Sequence, residues 1–320
     1  MKDIIKIINV NNKTYKLSLE YVFGFWEGDG SITIQLKPNS NHKTGRQVIL
    51  IFEIHQHAID LDLLTAISIY LGCGKVEISK KLGNKKTWLY RLRISTQTEI
   101  LNTLLPILQS QTMMLNKREH DILLFIKSCL LVKNKKHLNV EGQKEIFDIS
   151  SQLSGKLDWK TKFKKLTKIN NNKVKSETNL QSSLNNELIT GFTDAEGNFY
   201  FTLVSSKLNS NYKGVNFNFN ISQEKSEIKF LNELVKFFGC GNVFTDEKGR
   251  GRFVVNNKKD LVNKIIPFFE VNELQTIKKY SFFRFKKALE ICTKNKPLLS
   301  SHIEELKSIL LEQIGKRPKK

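Results

Sequence analysis

No apolar run approaches the ~20 residues that a membrane-spanning helix requires. The start, Met1-Lys-Asp-Ile-Ile5, has neither the apolar core nor the cleavage site of a secretory signal. Cysteine is sparse as well. Cys73, Cys129, Cys240 and Cys292 are widely spaced and form no CxxC pair, which argues against a zinc ribbon or a disulfide scaffold and reads as reduced thiols inside cores. No GxxxxGK[ST] loop is present, so an NTP-driven motor is unsupported. The last deficit is acid: 31 Asp and Glu stand against 52 Lys and Arg, for a net charge of +21. That surplus exceeds what solubility requires and points to a polyanionic partner.

At 320 residues with 40% hydrophobic content, the chain can bury two cores of ordinary domain size. An internal duplication divides it in that way. The segment Val22-Phe-Gly-Phe-Trp-Glu-Gly-Asp-Gly30 returns in character as Ile189-Thr-Gly-Phe-Thr-Asp-Ala-Glu-Gly197. Gly191 minus Gly24, Glu196 minus Asp29, Ile221 minus Ile54, Gln223 minus Gln56 and Gly239 minus Gly72 all equal 167. Past the loop Lys80 to Lys86, which is longer than its counterpart near Lys248, the offset falls to 161 (Pro267 minus Pro106). The reading is one repeat over 1–166, a polar Asn, Lys and Ser linker over 167–184, and a second repeat over 185–320.

Within each repeat the periodicity changes from helical to alternating. Leu17, Tyr21, Gly24 and Phe25, matched by Leu184, Leu188, Gly191 and Phe192, predict a helix. Gly24 with Gly28, and Gly191 with Ala195, clear a stripe along which two such helices can pack backbone to backbone. Gly30 and Gly197 suit a left-handed helix end. Asp29 and Glu196, just before them, set an acid against the negative end of the helix dipole, where a cation is favoured. A local rule broken twice at one place suggests function.

Strands follow. Ile32, Ile34 and Leu36 alternate with Ser31, Thr33, Gln35 and Lys37, and Phe199, Phe201 and Leu203 alternate with Asn198, Tyr200 and Thr202. The next strands put Val48, Leu50, Phe52 and Ile54, or Val215, Phe217, Phe219 and Ile221, toward the core. Asn216, Asn218, Asn220 and Ser222 face outward in the second repeat, whereas the first has Ile49 and Ile51 between Gln47 and Glu53, with Arg46 at the start of that strand. Two further strands in each repeat carry Lys75, Ser79, Arg91 and Arg93, or Asn242, Arg250 and Arg252, with Lys80 and Lys248 in the loops between them; these two lysines join the outward strand residues as candidate contacts. The expected fold is α+β: two pseudo-symmetric αββαββα repeats, each with a four-stranded antiparallel sheet whose polar, basic outer face suits a nucleic-acid groove.

The two signatures resemble the LAGLIDADG motif, and the chain is similar to single-chain, two-motif homing endonucleases from about Leu17 to Lys296. Gly191-Phe-Thr-Asp-Ala-Glu-Gly197 follows the pattern closely; the first copy departs from it with Phe23, Trp26, Glu27 and Gly28. The resemblance implies that the last acid of each motif, Asp29 and Glu196, binds a divalent metal at the scissile phosphates, with Gly28 and Ala195 adjoining as ligands. It implies Mg²⁺, with Mn²⁺ or Ca²⁺ in crystals. It implies that Gln56 and Gln223 organise attacking water, and that a basic residue after the fourth strand, Lys258, assists in the second repeat. Ser95, Thr96 and Gln97 stand at that place in the first repeat. The DNA-binding residues expected are the outward strand residues named above.

The expected activity is metal-dependent phosphodiester hydrolysis at a long asymmetric double-stranded DNA target of about two helical turns, by a monomeric pseudo-dimer without membrane or obligate protein partner. An RNA maturase acting on intron RNA is the alternative from the same resemblance. The Asn, Lys and Ile bias resembles coding in an AT-rich organellar genome, so a mitochondrial origin is expected.

Overall fold

A computed structural model of the chain describes residues 5–79, 89–153, 184–205, 212–247 and 249–315. Lys80, Lys248 and all but Leu184 of the expected linker lie outside them. The chain divides into two compact units, Met1–Leu188 and Ile189–Lys320. Among the described residues no helix is long and apolar enough to cross a membrane.

The first unit opens with a hairpin, β1 (Lys6–Val10) and β2 (Lys13–Leu17), so Leu17 ends a strand and does not begin the helix. Ser18 caps the next element instead. Its hydroxyl accepts from Tyr21 N at 3.0 Å and starts α1 (Leu19–Asp29), because an N-cap oxygen satisfies one of the helix's unpaired first-turn donors. Strands β3 (Gly30–Pro38) and β4 (Arg46–His57) follow, then α2 (Leu61–Leu71), β5 (Lys75–Ser79) and β6 (Leu89–Ile94). The sheet order is β3-β4-β6-β5, antiparallel throughout. Helices α3 (Gln97–Glu99), α4 (Leu105–Ser110), α5 (Asn116–Lys133) and α6 (Val140–Ser151) complete the unit.

Among the described residues the second unit repeats the plan from the motif helix onward: α7 (Asn186–Glu196), β7 (Gly197–Ser205), β8 (Tyr212–Glu224), α8 (Ile228–Phe238), β9 (Asn242–Thr245) and β10 (Arg250–Val255), with sheet order β7-β8-β10-β9. Helices α9 (Lys258–Asp260), α10 (Ile266–Val271), α11 (Lys278–Lys294) and α12 (Ser300–Gly315) close it. Both units widen into a π turn, Ile100–Leu104 and Leu261–Ile265, just before a proline, Pro106 or Pro267, placed in the first turn of the next helix. Proline lacks the N–H that an unbroken α-helix would need there.

Each core lies on one face of its sheet. In the first unit Trp26 of α1 stacks on Phe52 of β4, ring centroids 5.0 Å apart. In the second, Phe199 packs against Phe219, Phe269, Phe282 and Phe285. Each fully buried phenylalanine contributes about 1.5–3 kcal/mol of transfer free energy, so aromatic packing dominates that core.

The glycines that end the motif helices do not serve the turn expected of them. Gly30 is extended (φ −89°, ψ 165°) and Gly197 is not among the glycines with positive φ. What fixes them is space. A Cβ on Gly30 would lie 2.2 Å from the Trp26 ring, and one on Gly197 would lie 2.4 Å from Thr193 Cγ2. Left-handed glycines stand instead at Gly72, Gly74, Gly239 and Gly241, in the paired Leu71-Gly-Cys-Gly74 and Phe238-Gly-Cys-Gly241 segments that end α2 and α8; Gly45 and Gly249 also have positive φ.

Candidate active site and nucleic-acid interface

Asp29 is the last residue of α1 and Glu196 the last of α7, and both are half-buried. Neither helix has a basic residue in its last turn. The cation that the dipole favours there arrives from another helix. In the first unit Arg118 of α5 donates from Nε to Glu27 O at 2.8 Å and from Nη2 to Gly28 O at 3.3 Å, with its guanidinium 5.2 Å from the Trp26 ring centroid. In the second, Lys278 at the start of α11 donates from Nζ to Thr193 O at 3.2 Å and to Ala195 O. Sequence reading missed both residues. The signal was present: Lys278 minus Lys117 is 161, the offset of the closing helices, and Arg118 is the next residue.

The middle acid of each motif is structural. Glu27 is 1% exposed and accepts from Met114 N (2.9 Å) and Leu115 N (2.8 Å). Asp194 is 2% exposed and accepts from Gln275 N (2.6 Å), Thr276 N (3.2 Å) and the Thr276 hydroxyl. Each carboxylate thereby satisfies backbone donors just ahead of the closing helix, α5 or α11. Gln275 and Thr276 turn their N–H groups to Asp194, and α11 starts just after them at Lys278.

Gln56 and Asp29 are brought together: Gln56 Nε2 donates to Asp29 Oδ2. The register explains the meeting, since Gly30 pairs with Ile54 across β3 and β4, and Gln56 lies two residues beyond. Gly197 pairs with Ile221 in the same way, so Gln223 holds the equivalent register position in its sheet. Lys258 is not at that end of its sheet. Its Nζ lies 5.6 Å from the centroid of Phe217, a buried residue four positions back along β8 from Ile221.

Cross-strand pairing sets the outward residues in rows. The row beside Asp29 runs Ser31, Glu53, Arg93, Lys75, and the next holds His55, Arg91, Glu77. The equivalent rows of the second sheet run Asn198, Asn220, Val254, Asn242, and Ser222, Arg252, Phe244, followed toward the hairpin by Tyr200 with Asn218 and Thr202 with Asn216. Thr33, Gln35 and Lys37 face Ile51, Ile49 and Gln47 in the first sheet. Ile51 is buried, so Ile49 and Ile51 interrupt the polar outward groups between the rows near Asp29 and the hairpin end. Arg46 and Lys75 are exposed, as are Lys37, Gln47, Asn242, Arg250 and Arg252, while Ser79 is half-buried.

Arg91 and Arg93 are tied down by carboxylates. Arg91 Nη1 is 3.1 Å from Glu53 Oε1 and Nη2 is 2.6 Å from Glu77 Oε1; Arg93 Nη1 is 3.2 Å from Glu53 Oε1, and His55 Nε2 is 3.4 Å from Glu53 Oε2. Burial pushes the Glu53 carboxyl up, but the His55 hydrogen bond and the charges of Arg91, His55 and Arg93 outweigh it and hold the group below its ordinary range. Among the described residues no group of three or more His, Cys, Asp or Glu is placed to hold a metal ion. A cation at Asp29 or Glu196 would therefore need carbonyl, water or phosphate oxygens as well.

Two copies of an αββαββα unit, each ending its first helix on a carboxylate at the head of a polar four-stranded sheet, define a duplicated α+β protein equipped for a polyanion and for hard cations. The LAGLIDADG endonuclease model matches residues 22–129 and 189–289, and the chain belongs to that family. A probable intron-encoded endonuclease 2 of Neurospora crassa is 29% identical over 308 residues, 92% of this chain. A probable intron-encoded endonuclease 3 of the same organism is 28% identical over 284 residues, 88% of this chain. The chain spans 65% and 51% of the lengths of these two relatives. I-SmaMI, solved bound to uncleaved DNA target in the presence of calcium ions, shares the fold: TM-score 0.78 and 24% identity, covering 92% of this chain and 98% of that one.

Proposed function

We propose that the chain is a divalent-metal-dependent, site-specific DNA endonuclease of intron origin. One observation carries the reading: an acid ends each motif helix at the head of an outward-facing polar sheet, and in the first unit a glutamine is hydrogen-bonded to that acid. The duplication gives two such acids for the two strands of a duplex. The names of the relatives, intron-encoded endonucleases, and of a neighbour crystallised on DNA with calcium point the same way.

The donor set suits a hard cation. Asp29 and Glu196 offer carboxylate oxygens and Gly28 and Ala195 offer backbone carbonyls, each with a second lone pair beyond the one taken by Arg118 or Lys278. These residues would hold Mg²⁺, and such an ion supplies charge neutralisation at the phosphate and lowers the pKa of bound water. Gln56 fixes the Asp29 carboxylate through Nε2, and its Oε1 remains an acceptor for the proton of an attacking water; Gln223 takes the equivalent part. Lys278 and Arg118 keep positive charge at the two helix ends, where negative charge builds on the phosphate in the transition state. Lys278 fills the basic role better than Lys258, which lies toward the opposite end of β8.

The test uses the full chain, Mg²⁺ or EDTA, and duplex DNA spanning the intronless form of the gene's own insertion junction. Both strands should be cut with Mg²⁺ and neither with EDTA. The double variant Asp29→Asn, Glu196→Gln should bind the duplex and leave it intact. A wild-type chain that binds this DNA without cutting it, in Mg²⁺ or Mn²⁺, would discard catalysis.

A further inference from the structure

Glu53 and Asn220 occupy equivalent positions, 167 residues apart. Each is an outward-facing polar residue, and each is 7% exposed. Buried polar groups at one place in both repeats must do something there, and both hold a neighbour. Glu53 stands between Arg91 and Arg93 at 3.1 and 3.2 Å, with Glu77 taking Arg91 from the other side through Nε at 2.9 Å and Nη2 at 2.6 Å. Asn220 donates from Nδ2 to Asn218 Oδ1 at 2.7 Å. The first sheet thus presents guanidinium groups fixed in orientation, and the second an amide fixed in orientation.

The two groups read different bases. A guanidinium forks onto the O6 and N7 acceptors of guanine, and a carboxamide pairs with the N6 donor and N7 acceptor of adenine. A guanidinium has five N–H donors, so Arg91 and Arg93 retain donors beyond those given to carboxylates. The amide of Asn218 keeps a second lone pair and both its N–H groups.

We propose that Glu53 and Asn220 are the orienting residues of the two reading faces, and that they make the half-site under the first sheet select guanine and the half-site under the second select adenine. The inference rests on the endonuclease reading and deepens it. The Arg91 and Arg93 rows lie beside Asp29, and Asn218 lies one row beyond the Asn220 row that adjoins Glu196; outward residues recur every ~6.8 Å along a strand, about two base-pair steps. The selected bases therefore lie in the inner part of each half-site, on the side of the cut.

Sequencing the cleaved products from a library of junction DNA randomised through the inner half-sites tests this. The wild type should enrich guanine on the first side and adenine on the second by about five- to a hundredfold per position, the discrimination of a bidentate pair. Glu53→Gln should flatten the guanine preference alone, and Asn220→Ala the adenine preference alone. Arg91→Lys, which retains charge but loses the fork, should flatten guanine without touching the other half. Equal enrichment in both halves, or loss in both halves from either variant, would overturn the proposal. Failure of the wild type to bind any library member would instead overturn the endonuclease reading, and this inference with it.

Discussion

At the scale of single residues, three acids that look alike in the sequence have separate duties. Glu27 and Asp194 are sealed under backbone N–H groups, whereas Asp29 reaches Gln56 at a half-buried helix end. Glu27→Gln would set an NH₂ group against a backbone donor inside the core. Charge-assisted hydrogen bonds contribute roughly 1.5–3 kcal/mol, so urea unfolding should show a loss of about 2 kcal/mol, with the surviving folded fraction still cutting DNA. Gln56→Leu should do the reverse: unfolding stays near wild type while cleavage slows about 10- to 100-fold, the usual effect of losing a residue that orients a metal ligand. A stability loss at Gln56 as large as that at Glu27 would contradict this division.

At the scale of elements, the duplication, the strand faces and the motif helices were legible because burial imposes periods of two and 3.6 on residue choice. The cation at each helix end was not. Arg118 and Lys278 lie 83 to 91 residues from the carbonyls they meet, and no local period links them. The turn expected at Gly30 was misassigned for a related reason: the bulk that requires glycine is the Trp26 ring one turn earlier, a packing constraint that looks like a conformational one in sequence. The ion cluster on the first sheet has its own pH signature. Glu53 is held below its ordinary range in the folded chain, so its contribution is full above the unfolded value, about pH 4.3. It is lost as pH falls through the lower folded value. The stability gap between wild type and Glu53→Gln should thus be widest at neutral pH and close in acid, as measured by unfolding midpoints from pH 3 to 7.

At the scale of the whole molecule, the excess of 21 positive charges must act on any nucleic acid, whatever its sequence. Binding that displaces counterions weakens with salt along a log–log slope of about −0.9 per phosphate neutralised. The two sheets should contribute to that slope differently. Position 252 is equivalent to 91, but its cross-strand neighbours are Ser222 and Phe244 where Arg91 has His55 and Glu77. Arg252 is exposed with no carboxylate across its row, and Arg250 is exposed opposite Glu224; both suit phosphates, which position a protein without specifying a base. The double variant Arg250→Gln, Arg252→Gln should weaken binding to every duplex alike and make the salt slope shallower by up to about 2. Titrations of specific and scrambled duplexes from 50 to 300 mM salt would show it; a change in base preference instead would mean that Arg252 reads the groove as Arg91 does, without a carboxylate to hold it.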